Sequence, residues 1–170
     1  MKPVKVGICG LGTVGGGTLN VLKRNAEEIT RRAGRGIEIA QIAIRSPKPQ
    51  YDTSGIAMTS DVFELVNNPE IDIVIELIGG YTLAKELVLK AIDNGKHVVT
   101  ANKKLLAEHG NEIFARASAK GVIVAFEAAV AGGIPIIKAL REGLTANHIE
   151  WIAGIINGTS NFILTEMRDK

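Results

Sequence analysis

Cysteine occurs once in 170 residues, aromatics make up 4% of the chain, and neither sign of charge dominates. Each scarcity removes a class of reading. A lone Cys9 inside an apolar run offers no disulfide framework and reads as core packing rather than a reactive thiol. With 20 Lys and Arg against 18 Asp and Glu, the net charge is +2. There is no basic run and no interleaving of aromatics with basic residues, which argues against a nucleic-acid surface. His97, His109 and His148 are scattered without metal-ligand spacing. Lys2 and Lys5 precede an apolar stretch as in a secretory leader. Glycines at 7, 10, 12 and 15 to 17 break any helix there and no cleavage site follows, so the expectation is a cytoplasmic protein with no membrane partner. Hydrophobic residues at 46% with so few aromatics demand an aliphatic core, as in sheets covered on both faces by helices.

Glycine, by contrast, is abundant, at 19 residues, and six positions of the chain give it a specific meaning. Gly10-Leu11-Gly12-Thr13-Val14-Gly15 follows the apolar run Val4 to Cys9 and precedes a long amphipathic segment. In that setting Gly10 can take a turn conformation that other residues resist. Gly12 removes a side chain where a pyrophosphate would press on the backbone, and Gly15 lets the helix approach the sheet. The amides and the dipole at the start of such a helix suit a dianion. A purely structural turn and the glycine loop of a methyltransferase share the bare pattern, but strand before and helix after favour a dinucleotide.

The rest of the chain supplies the fold. Apolar spacing predicts a helix from Thr18 to Ala33 capped by Gly34, and a strand over Ile37–Ile44. A loop from Ser46 to Gly55 contains Pro47 and Pro49, and a short helix covers Ser60 to Asn67. Ile71 to Ile78 is a buried strand ending at Gly79-Gly80, which suits a cofactor-facing turn. A helix from Thr82 to Asn94, a strand from Lys96 to Thr100, and a helix from Lys103 to Lys120 with a weak point at His109-Gly110 come next. A strand over Val122–Phe126, a helix opened by Gly132-Gly133-Ile134-Pro135 and running to Glu142, and a strand over Ile149–Ile156 complete the order. This alternation predicts an α/β fold: a doubly wound, mostly parallel Rossmann-type sheet with helices on both faces and ligands beyond the strands' C-terminal ends.

The second strand ends in Ala43-Ile44-Arg45-Ser46. A carboxylate for a ribose 2′-hydroxyl is missing there, since Glu38 lies at the wrong end of the strand and Asp52 lies past two prolines. Arg45 can meet a 2′-phosphate instead. One charge pair at about 4 Å in a partly screened site is worth up to about 4 kcal/mol, so NADP(H) is the expected cofactor, with NAD(H) accommodated. A surface arginine with no ligand is the competing reading.

Five runs then occur in order: the glycine loop at 10 to 15, Glu76-Leu77-Ile78-Gly79-Gly80, Thr100-Ala101-Asn102-Lys103, Phe126 to Val130 followed by Gly132-Gly133-Ile134-Pro135, and Gly154 to Asn161. Together they closely resemble homoserine dehydrogenase, across essentially the whole chain. The resemblance implies reversible hydride transfer between NAD(P)H and a small-molecule substrate, L-aspartate 4-semialdehyde, giving L-homoserine on the way to threonine and methionine. It implies cofactor contacts from Gly10, Leu11, Gly12, Thr13, Val14, Gly15, Arg45, Gly79, Thr100 and Lys103. By the same resemblance, Lys103 is expected between cofactor and substrate, implicated in binding or proton transfer, and Lys104 is expected to point elsewhere. It also implies a sodium or potassium ion held by backbone carbonyls at Glu127, Val130, Gly132 and Ile134; the residues alone read this stretch as a helix-entry loop. Gly158 and Thr159 are the expected substrate-binding residues, against a helix-capping reading of the same run.

Residues 1–148 are expected to form the NAD(P)-binding domain and 149–170 to begin a substrate and dimerisation domain that is truncated. The last helix carries Phe162, Ile163, Leu164 and Met167, and nothing left in the chain covers them. The resemblance implies that acidic substrate ligands and a second lysine lie further on, that the parent enzyme is a homo-oligomer, and that this chain binds NADP(H) with negligible turnover alone. Two alternatives stay open. A nonenzymatic nucleotide-sensing module would not need Lys103, and a dehydrogenase of another semialdehyde is disfavoured by Asn157 to Asn161.

Overall fold

In the computed structural model, which describes residues 1–155 and 157–169, strand and helix alternate for the first two thirds of the chain. β1 (Val4–Cys9) leads into α1 (Thr13–Arg24) and α2 (Ala26–Ala33), followed by β2 (Ile37–Ala43), β3 (Ala57–Thr59) and α3 (Val62–Asn67). β4 (Ile73–Glu76), α4 (Thr82–Asp93), β5 (His97–Thr100), α5 (Lys103–Lys120) and β6 (Val124–Ala125) continue the pattern. The strands form one six-stranded sheet of order β3-β2-β1-β4-β5-β6, and every pairing is parallel.

The order reverses between β1 and β4, and this reversal places the site. Crossovers leading outward through β2 put α1 on one face, where Leu19 packs with Leu11, Ile8 and Ile42. Crossovers leading the other way put α3, α4 and α5 on the opposite face, where Leu65, Leu87 and Leu105 join one aliphatic cluster. Between the two, the loops after β1 and β4 diverge and leave a crevice at the strand ends. Register keeps those ends level: Cys9 lies beside Ala43 and Glu76, and Glu76 beside Thr100.

Several boundaries differ from the pattern-based expectation. The first helix begins at Thr13 rather than Thr18 and divides at Asn25, whose backbone leaves the helical region while its amide still donates to the Val21 carbonyl. β3, a three-residue edge strand, was not expected from the sequence. α5 runs unbroken through His109-Gly110, with Gly110 buried and Phe114, one turn on in the same helix, as its nearest neighbour. Beyond β6 lie a 3₁₀ turn over Glu127–Ala129 and a single turn, α6 (Ile136–Lys138). A π turn over Ala139–Gly143 continues α6 without a break, so the helical path reaches the expected Glu142 but begins only at Ile136. No strand forms over 149–155, because a strand needs a partner ladder and none is offered among the described residues; Ile156 lies outside them. The chain closes with α7 (Gly158–Asp169).

Candidate functional site

Gly10 leaves β1 with φ +97°, and a side chain here would bring Cβ to 2.6 Å from the Leu77 carbonyl oxygen. The turn therefore rests directly on the backbone that leaves β4. Gly15 is equally constrained, since a Cβ there would run into the Gly10 carbonyl. Gly12 is different: its φ is an ordinary −76°, and an added Cβ would meet nothing within 4 Å. No protein atom demands glycine at that position. It caps α1 without a side-chain hydrogen bond, so the first amides of the helix face open space with the positive end of the dipole behind them.

That space is a groove of about 590 Å³. Gly10, Leu11 and Gly12 form its floor, Gly79, Tyr81 and Leu83 one wall, and Arg45, Ser46 and Lys48 the other. Arg45 and Lys48 are exposed, and among the described residues neither has an ion-pair partner, so both charges are available to a ligand. The wall carrying them is tied back to α1. The Tyr51 ring lies where a Gly16 side chain would be, and its hydroxyl donates to the Gly12 carbonyl at 3.4 Å. Lys23 Nζ donates to Asp52 Oδ2 at 2.8 Å and to the Asp52 carbonyl at 2.7 Å. Lys23, with the Ser54 amide, holds the Asp52 carboxyl well below the usual carboxylate range. Tyr51 and Lys48 escaped the sequence reading; their only signal was a proline-flanked loop next to Arg45.

At the other end of the crevice the expected residues separate. Thr13 and Val14 are exposed in the first turn of α1, beside the groove rather than in its wall. Thr100 is fully buried, and its hydroxyl donates to Glu76 Oε2 at 2.6 Å, so its side chain faces the protein interior. Glu76 itself has no exposed surface. Together with burial, the nearby Glu76 carboxylate pushes the Cys9 thiol up to about 12, burial contributing more. Cys9 is therefore an inert packing residue, as its place in β1 predicts. Lys103 opens α5, exposed and without a hydrogen-bond or ion-pair partner among the described residues. Lys104 Nζ lies 4.2 Å from the centre of the ring of Tyr81, a residue of the groove wall, and 3.8 Å from Glu108 Oε1. Asn102 caps α5 by accepting the Leu105 amide at 3.1 Å, and donates from Nδ2 to the Gly80 carbonyl.

The remaining candidates lie past β6. The Glu127 carboxylate accepts the Ile137 amide at 2.9 Å and the Lys138 amide at 2.8 Å, capping α6. The Glu127 and Ile134 carbonyls accept from Val130 and Ile136. Those of Val130 and Gly132 accept no hydrogen bond among the described residues. No three His, Cys, Asp or Glu side chains converge there or elsewhere in the described residues. Gly158 and Thr159 stand exposed at the start of α7, where Asn157 Oδ1 accepts the Ser160 amide at 2.8 Å and caps the helix. No helix among the described residues is long and apolar enough to cross a membrane.

Comparison with known proteins bears directly on this crevice. The family model for the homoserine dehydrogenase NAD-binding domain matches residues 10–127. The chain belongs to the homoserine dehydrogenase family. A second family model, homoserine dehydrogenase, matches residues 135–170. A homoserine dehydrogenase of Pseudomonas aeruginosa is 77% identical over 170 residues, covering 100% of this chain and 39% of that protein. One from Neisseria gonorrhoeae is 64% identical over 171 positions, again covering 39% of the relative. The chain thus spans about two fifths of the length of these relatives. Among solved structures, a homoserine dehydrogenase from Thiobacillus denitrificans superposes with a TM-score of 0.91 at 70% identity, covering 100% of this chain and 40% of that one. A hyperthermophilic archaeal homoserine dehydrogenase in complex with NADPH has a TM-score of 0.81 at 26% identity, covering 99% of this chain and 57% of its own. An NAD(P)-binding unit of this family is therefore what the sheet and its glycine turn build.

Proposed function

We propose that this chain is the cofactor-binding part of an enzyme that interconverts L-homoserine and L-aspartate 4-semialdehyde with NADP(H), NAD(H) being tolerated. Gly12 carries the reading: a glycine that no neighbouring atom requires, under the open N-terminus of α1, is what a pyrophosphate needs to approach the backbone. The α1 amides hold the pyrophosphate, while Arg45 and Lys48, without protein partners in the groove wall, hold a ribose 2′-phosphate. NADPH in the archaeal relative is consistent with this preference.

When bound, the dinucleotide supplies the hydride that reduces the aldehyde carbon. The chain's own part is to hold a cation where the carbonyl oxygen becomes an alkoxide, and Lys103 is that cation. Its freedom from ion pairs leaves the ammonium free for this task. Residues 1–148 form the cofactor domain and 149–170 begin a substrate and dimerisation domain, with Gly158 and Thr159 on the substrate side. A sodium or potassium ion held through carbonyls of the 127–134 turn is supported by the two carbonyls, of Val130 and Gly132, that accept no hydrogen bond. The assigned setting is a cytoplasmic homo-oligomer.

The test is Lys103→Ala in a full-length protein carrying this stretch. Homoserine-dependent formation of NADPH should fall by about 10²- to 10⁴-fold, the usual contribution of an acid–base group. NADPH affinity should stay within about threefold of the parent, since a transition-state contact adds little to cofactor binding. Unchanged turnover would remove Lys103 from the chemistry.

A further inference from the structure

Behind the groove, the ends of β4 and β5 are joined by a buried hydrogen-bond relay that the proposed chemistry does not use. Glu76 accepts the Ile78 amide proton on Oε1 at 3.0 Å and the Thr100 hydroxyl proton on Oε2 at 2.6 Å. The Thr100 oxygen in turn accepts from the Asn102 amide at 3.0 Å. Asn102 then faces two ways, capping α5 through Oδ1 and donating from Nδ2 to the Gly80 carbonyl. Each oxygen of the Glu76 carboxyl thus meets one partner, the Ile78 amide on one side and the Thr100 hydroxyl on the other.

The relay ends on a segment that needs holding. Gly79 and Gly80 take φ of +71° and +70° in succession, and glycines have no side chains with which to fix a turn. Asn102 makes the one side-chain hydrogen bond to this pair among the described residues. Gly79 and Gly80 form a wall of the dinucleotide groove, while the residue after Asn102 is Lys103. One carboxamide thus connects the groove wall to the helix that carries the exposed cation.

We propose that Asn102 is a positioning residue: by latching the Gly79-Gly80 turn to the first turn of α5, it makes the groove wall and Lys103 one rigid piece and holds the bound dinucleotide in a single setting. Thr100 and Glu76 support it from below. The inference rests on the dinucleotide reading above, and its consequence is separate from capping. Serine caps a helix about as well as asparagine but cannot reach Gly80. Asn102→Ser therefore removes the latch and leaves the cap.

The experiment is a titration of the 170-residue chain with NADPH, reading affinity by calorimetry and the anisotropy of the reduced nicotinamide emission at saturation. Asn102→Ser should melt within about 2 °C of the parent because its cap is kept. It should bind NADPH about three- to tenfold more weakly, the effect of one lost hydrogen bond, with lower anisotropy of the bound ring. Thr100→Val, which cuts the relay one step earlier, should show the same loss, and Thr100→Ser should restore the parent values. If Thr100→Val does not fold, Asn102→Ser decides alone. Parent-like affinity and anisotropy in Asn102→Ser would overturn the latch while leaving the dinucleotide reading intact. Failure of the parent chain to bind NADPH would overturn both.

Discussion

Two helices of twelve residues, α4 and α7, carry apolar residues at similar spacing and meet opposite fates. In α4, Ala84, Leu87, Val88, Ala91 and Ile92 are buried, pressed between the sheet and α5. In α7 nothing is buried, and Phe162, Ile163, Leu164 and Met167 are all exposed. The contrast holds for the regions around them: every buried hydrophobic among the described residues lies between Val6 and Val124. Periodicity specifies that a segment is a helix and which face is apolar, but burial needs a second surface. The sheet provides one for α4 and, among the described residues, nothing provides one for α7.

Truncation of equivalent leucines would break this comparison most directly. Leu87 is fully buried and Leu164 is 63% exposed. Leu87→Ala should cost roughly 2–5 kcal/mol in urea unfolding, through lost transfer energy and a cavity. Leu164→Ala should cost less than about 0.5 kcal/mol in the same chain. A loss of comparable size at Leu164 would mean that α7 packs on something in solution.

The comparison also shows how much could be read from residue order. All strands of the core sheet except β3 were legible, because buried parallel strands announce themselves as continuous Val and Ile runs bounded by Gly. β3 was not, since three residues at an edge, two of them exposed, carry no alternation. The start of α1 was misplaced for a related reason: Gly15, Gly16 and Gly17 have no side chains to register a period, yet two of them are fixed by contacts with Gly10 and Tyr51. Tyr51 reaches across 39 residues to the glycine turn, a distance no local pattern reveals. Of the expected site residues, the glycine turn and Arg45 line the groove, and both were legible by residue type and place; Lys103 is outside that lining. The inward commitment of Thr100 and the double role of Asn102 depend on register between β4 and β5, which only the folded chain supplies.

Binding sharpens the contrast at a smaller scale, because the groove belongs wholly to the first region. Arg45→Ala should weaken NADPH binding by about ten- to a hundredfold in calorimetry and leave NADH nearly unchanged, as one partly screened charge pair is lost. Phe162→Ala, in the second region, should alter neither. Equal losses for NADPH and NADH in Arg45→Ala would show that the arginine supports the loop rather than a 2′-phosphate.

The smallest expected effect concerns the tie that holds this loop to α1. Lys23 keeps the Asp52 carboxyl ionised well below its ordinary range. A carboxyl with a lowered folded value contributes stability above its unfolded pKa of about 3.9 and loses that contribution as the pH falls toward the folded value. Both side chains are exposed, at 37% and 67%, so solvent screens the pair and its contribution is slight. Asp52→Asn should therefore melt a little below the parent at pH 7. The gap should narrow as the pH falls below about 4 and close under strongly acid conditions, where the parent carboxyl is also neutral. Adding salt at pH 7 should narrow it too. A gap that instead persists unchanged into acid would mean that Asp52 acts through the Ser54 amide turn, which asparagine keeps only in part, and not through its charge.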